Sequence, residues 1–318
     1  MQYAFHMRTP TRFILKRLFP KWALFLLLML PVWMGCSSDS SPIPKNEAKA
    51  FAGYWYQGKA EVATYAIDQA RYGSTNDGHA IFVFVTEDFN KSKGVKIEHK
   101  TRRTADAIGV MKMSMIKQFT TGIYEYNMMS AVYTPLDYEE HPHSFKLTSG
   151  TQEWCGQTYF QASWKGHRYE VQRFSYFEAE GDSTFSLVNT WLEDEMWNKI
   201  RVAPNTLPLG KVKMVPAAFY FRLAHIPVNV YDAVATLQTG TDQYTYTLSY
   251  PGLKRKLEIT FEKNFPHQIL QWKEEYGEKE ITTGKLVKSI QTDYWNHNRP
   301  EDEALRELLQ LNAPALAH

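Results

Sequence analysis

Two cysteines, one His/Glu cluster and one aromatic run are the features of this 318-residue chain whose residue types bear on chemistry. Cys36 closes a basic, then apolar, stretch and opens a polar run from Ser37 to Pro42. A thiol at such a place is the nucleophile that a lipoprotein signal requires. It becomes the thioether to the lipid, and cleavage just before it makes Cys36 the mature N-terminus. Cys155, in Glu153-Trp154-Cys155-Gly156, admits two readings. One is a nucleophile with His143 or His167 as its base. The other, which we adopt, is a small buried apolar residue packed beside Trp154, as free Cys commonly is. Glu139, Glu140, His141 and His143 are ligand types that suit a metal. Pro142 separates the two histidines, however, and no third ligand follows at a regular offset, so the segment reads as an exposed acidic loop. Tyr54-Trp55-Tyr56-Gln57-Gly58-Lys59 is either a sugar- or ligand-stacking edge or a first strand with large core residues. We read it as the strand. His225 and His267 read as structural histidines and His297 as a surface turn residue.

No Gly-x-Ser-x-Gly elbow, phosphate loop or Gly-rich dinucleotide fingerprint occurs. Carboxylates are too dispersed to nominate an acid–base pair. The sequence therefore assigns no catalytic residue, no metal ligand and no cofactor, and Cys36 is its one site residue.

The stretch before Cys36 has the layout of a signal peptide. Arg8, Arg12, Lys16, Arg17 and Lys21 form a positive region with no acidic residue. Trp22 to Met34 is apolar apart from Pro31. It is shorter than the roughly 20 apolar residues a bilayer span needs and suits a signal core. Gly35 is the small residue expected before a lipidated Cys, while Trp33 stands where such signals ordinarily carry Leu. Two acyl chains hold a protein stably on a membrane.

Removing residues 1–35 changes the charge. The chain has 36 basic and 34 acidic residues, and the leader's five basic residues leave 31 against 34, about −3. No basic stripe interleaved with aromatics remains, so no nucleic-acid partner is expected. With Cys36 lipidated, Cys155 has no intramolecular disulfide partner.

Residues 36–50 read as the lipidated Cys and a flexible tether, Ser-rich with Pro42 and Pro44. Beyond it a two-residue apolar period dominates. Ile81 to Thr86 is a continuous apolar strand, and Met111, Met113 and Met115 alternate with Lys112 and Ser114. Lys165-Gly166 reads as a hairpin turn. Thr190-Trp191-Leu192-Glu193 reads as a capping box, with Glu193, Asp194 and Glu195 at the positive end of a short helix reaching Ile200. Six more strands between Leu209 and Ser289 follow at short spacing, which implies an antiparallel meander. Pro300 opens a terminal helix. The fold expectation is mainly β: a large curved antiparallel sheet, half-barrel-like or two in tandem, with one short internal helix and a C-terminal helix. Residues 51–189 form a first β-rich part and 190–318 the second, which together can make a single domain.

Several segments carry a resemblance. They include Trp55 to Glu61, Phe84 to Phe89, Gln152 to Gly156, Ser175 to Glu178, Leu192 to Trp197 and Leu207-Pro208-x-Gly210. Together they resemble a family of Bacteroidetes lipoproteins, some members of which bear the label septum formation inhibitor Maf. The true Maf family resembles an α/β nucleotide pyrophosphatase with a Ser-x-Ser-Pro-Arg-Arg start, which is absent here. The resemblance implies lipoprotein status and no catalytic residue. Since Asp39 is the sole acidic residue in the run after Cys36, the expected location is the cell envelope, anchored in the outer membrane and facing the periplasm. The expected role is non-catalytic binding of an apolar ligand or an envelope partner protein, with a hydrolase acting on an envelope polymer as the alternative.

Overall fold

A computed structural model describes residues 48–98, 105–188, 190–277 and 280–311. Cys36 and most of the expected tether lie outside them. The antiparallel hairpins follow the expected pattern. In chain order they are β1 (Ala60–Arg71), β2 (Ser74–Asn90), β3 (Val95–Lys96), β4 (Ala107–Thr121), β5 (Tyr124–Pro135), β6 (Lys146–Glu153), β7 (Gly156–Trp164), β8 (Arg168–Ser175) and β9 (Ser183–Val188). Then come β10 (Trp191–Leu192), β11 (Gly210–Val215), β12 (Tyr231–Thr239), β13 (Gln243–Tyr250), β14 (Arg255–Glu262), β15 (Ile269–Tyr276) and β16 (Glu280–Thr292). The helices are α1 (Ala48–Trp55), α2 (Met196–Val202), α3 (Ala218–Ala224) and α4 (Ala304–Leu308).

All 16 strands join one sheet, in the order β10 to β16, then β1, β2, β4 to β9, with β3 beside β2. The sheet is therefore single and continuous rather than two in tandem, because β16 pairs with β1 along nearly its whole length. Chain geometry forces the curl. The two edges, β9 and β10, end and begin at Val188 and Trp191. Three residues reach at most about 11 Å, whereas so many strands laid flat at about 4.8 Å spacing would put their edges some 70 Å apart.

Residues 193–207 and helix α3 fill the inside of this curve. Met196 Sδ accepts from Tyr246 of β13 at 3.7 Å, and two residues on Asn198 donates to the Val132 carbonyl of β5 at 3.3 Å. A helix about 10–12 Å wide can touch both strands only if the sheet wraps it. Trp197 enters an aromatic nest, edge-on to Phe82 at 5.3 Å and to Trp272 at 5.7 Å. Phe82 and Trp272 are themselves stacked at 5.4 Å. Gly284 lies opposite Trp272 in the ladder, and a Cβ there would sit 2.2 Å from the indole. Its hydrogen side chain is what lets the ring lie across β16.

Three local expectations change. Thr190 caps no helix: Trp191 and Leu192 form the parallel pair with Met214 and Val215, and Glu195 accepts from the Leu192 N–H at 3.1 Å. Tyr54 and Trp55 belong to helix α1 rather than to a first strand, and this helix starts at Ala48, inside the expected tether. Trp55 still behaves as a core residue, buried against Phe84.

Candidate functional site

The most concentrated chemistry lies between α2 and the sheet. Glu193, Asp194 and Glu195 form a 3-10 turn leading into α2, and all three are buried. A charge taken out of water must be paired, and each finds its partner far along the chain. Glu193 receives two hydrogen bonds of 2.6 Å from Arg255 of β14 and one of 2.6 Å from the Tyr250 hydroxyl. Asp194 accepts from the Ala218 N–H at 2.9 Å, at the start of α3. Glu195 accepts from the Ser144 N–H at 2.6 Å and lies 3.9 Å from His143 Nδ1. At the other end of α2, Arg201 grips Glu61 of β1, with Nη1 to Oε1 at 2.7 Å.

A second buried group continues the first. Arg255 also reaches Glu274 at 3.1 Å, and Lys117 of β4 lies 4.0 Å from the same carboxylate. Lys117 Nζ donates to Gln69 Oε1 at 3.2 Å. The fields within this network are strong. Burial pushes the Asp194 carboxyl up to about 7. Burial also lowers Lys117 below the ordinary lysine range, partly offset by Glu274. Burial opposes ionisation of Glu274, but Lys117 and Arg255 outweigh it and hold the carboxyl below its usual range. Glu195 is likewise held low, the neighbouring His143 and the charge of Lys199 overcoming burial. Except for Asp194, whose bond is to a backbone N–H, these charges are matched cation to anion. Their chemistry is that of a clasp holding residues 193–201 to the sheet.

The residues singled out from sequence do not converge. Cys155 is exposed, in the turn joining β6 to β7, and Trp154 beside it is 70% exposed, so the buried reading of this pair does not hold. Apolar residues at a two-residue turn cannot reach the core that the same residues would enter within a strand. His167 follows the far end of β7, and His143 precedes β6. Strands of eight or nine residues put each histidine about 25–30 Å from Cys155. His143 is held between Trp164 and Trp191, with ring centroids at 4.4 and 4.3 Å. His141 tilts against Phe145, and Glu140 lies 3.9 Å from its ring nitrogen. No group of three metal-ligand side chains gathers among the described residues. His225 bridges Glu180 and Arg222, His267 is buried and faces the Glu262 carbonyl, and His297 links Asp293 to Asp302 at the surface.

Two openings lie outside the filled interior. One, of about 570 Å³, is walled by Trp55, Tyr56, Lys59, Lys96 and Trp295 near the start of β1. The other, of about 490 Å³, lies over β5, β6 and β7. No family model matches this chain, and no curated protein matches it.

Proposed function

We propose that this protein is a lipid-anchored envelope lipoprotein that binds an apolar ligand or a partner without catalysis, using the outer surface of a rigid sheet. The observation that carries this reading is the filled interior. A curved sheet that held a ligand in its mouth would leave that space open, whereas here residues 193–201 occupy it and are clasped by Arg255 and Glu61. Binding then falls to the outside, where the two openings described above lie. Support for the anchor is the signal layout ending at Cys36 and the resemblance to Bacteroidetes lipoproteins. The expected seat is the outer membrane, facing the periplasm.

The anchor is tested by replacing Cys36 with Ser and fractionating cells: the variant leaves the membrane fraction, and unchanged partition contradicts the anchor. The binding role is tested by native mass spectrometry of gently extracted full-length protein. The expected spectrum carries a bound ligand or partner, and a bare chain contradicts the reading.

A further inference from the structure

One strand glycine has no structural reason to be there. Gly150 sits in the interior of β6, a central strand, where glycine weakens a sheet. Its backbone is not left-handed, and a Cβ built on it would meet only the Thr158 carbonyl, at 3.9 Å. Any β-forming residue would fit and would stabilise the strand. A glycine inside a strand, where no bulge or bend requires it, is suited to close approach by something from outside.

The ladder shows what surrounds it. Ile116, Met129, Gly150, Tyr159 and Phe174 stand directly opposite one another across β4 to β8. They lie on the face turned away from α2 and α3, since the alternate residues Met128, Phe160 and Val171 are buried in the core. Met129 is 49%, Tyr159 40% and Phe174 50% exposed. The missing side chain at Gly150 opens the trough of about 490 Å³ between Met129 and Tyr159. The row on one side is Gln118, Asn127, Gln152 and Gln157, ending at Tyr176. The row on the other is Ser114, Ala131, Thr148, Gln161 and Gln172. None of these positions carries a charge, although 22% of the chain is charged.

This composition discriminates among occupants. A nucleic acid or an anionic lipid surface demands cations, and none stands in these three rows. Protein hot spots favour Trp, Tyr and Arg within a rim of polar and charged groups. Here the rim consists of side-chain amides and hydroxyls, which donate and accept from the same group, as sugar hydroxyls do. Gln152 and Gln157 face each other beside the trough, and their amides hold no partner among the described residues. Tyr159 and Phe174 lie 6.4 Å apart and tilted by 32°, side by side on adjacent strands, a platform on which flat apolar ring faces can stack.

We propose that the outer face of β4 to β8 is a binding site for a neutral glycan chain, seated in the Gly150 trough and stacked on Tyr159 and Phe174. The proposal rests on the non-catalytic binding role above and replaces its apolar ligand with a glycan that presents apolar ring faces between polar hydroxyls.

The test is calorimetric titration of the full mature chain with cellohexaose, xylohexaose, laminarihexaose and mannohexaose, and with anionic polygalacturonate as the charged control. At least one neutral oligosaccharide binds and the polyanion does not. Gly150→Val fills the trough and weakens that binding by roughly tenfold or more, with a thermal midpoint no lower than the parent's. Phe174→Ala weakens it as well. A neutral panel that fails to bind, or binding untouched by Gly150→Val in the folded variant, overturns the proposal. If the panel is silent while native mass spectrometry still shows a bound protein or lipid, the glycan assignment falls and the binding role stands. Silence in both removes both.

Discussion

Arg255 and Glu193, 62 residues apart, meet inside the sheet through two parallel hydrogen bonds of 2.6 Å each. The fork of the guanidinium matches the carboxylate, and Glu274 and the Tyr250 hydroxyl each add one more hydrogen bond. Both side chains are essentially inaccessible to water. A buried pair of this kind adds little net stability over a well-packed apolar pair, but losing one partner leaves the other charged and stranded. Its physical consequence is selectivity: only one placement of the 193–201 segment pairs both Glu193 and Arg201.

Glu193→Leu or Arg255→Met alone is expected to destabilise the fold by about 3–5 kcal/mol. The double change Glu193→Leu with Arg255→Met costs less than the sum of the two. Urea unfolding of the four chains checks this. Strict additivity would show that the two side chains do not interact.

Two of the strand glycines, Gly284 and Gly150, have opposite expected behaviour. Gly284→Ala drives a methyl into the Trp272 indole and costs about 1–3 kcal/mol. Gly150→Ala meets nothing closer than 3.9 Å and raises stability by roughly 0.5–1 kcal/mol. Thermal unfolding of both variants reads the difference in sign, and a loss at Gly150 would mean that its backbone is more constrained than the geometry shows.

Asp194 sets a pH dependence. Its carboxyl titrates at about 7 in the folded chain against an ordinary 3.8. The folded state therefore holds a proton that the unfolded state releases across this window. The resulting stability is full below about pH 4 and is lost as pH rises toward 7. Glu195 and Glu274, held below their usual range, act in the opposite sense and lose their contribution only in more acidic solution. Asp194→Asn keeps an oxygen for the Ala218 N–H and removes the titration. The variant gains on the parent between pH 4.5 and 7, read from urea midpoints at the two values. An equal offset at both would place Asp194 in a more solvated setting.

Cys155 is exposed in its turn, so a maleimide labels it stoichiometrically in the folded protein without changing the unfolding midpoint. Labelling that requires denaturant would restore the buried reading.

The strands are legible in the sequence because each buries one face, and alternation such as Met111, Met113 and Met115 survives any tertiary arrangement. The tight turn at Gly166, with its left-handed backbone, is legible for the same local reason. Helix α3 is not legible, because Ala218 to Leu223 is buried all round and presents no amphipathic period. The acidic triplet at 193–195 misleads. Three carboxylates at a helix start imitate a solvated dipole partner, and nothing local announces that Arg255 will cover one of them. The pairing of β16 with β1, which closes two halves into one sheet, joins residues more than 200 positions apart and leaves no trace in spacing. The outer-face trough was within reach: a glycine between Ser149 and Thr151 in an otherwise regular strand is visible in the sequence, although its emptiness is not.

Whether residues 193–202 are a permanent core element or a lid decides where ligands can bind. Hydrogen exchange of the full mature chain, read by mass spectrometry, distinguishes the two. With the clasp in place, the amides of α2 exchange only through global unfolding, as slowly as those of β1 and β2. Exchange in α2 that runs orders of magnitude faster, while β1 and β2 stay protected, would mean that the interior opens on its own and would contradict binding at the outer surface alone.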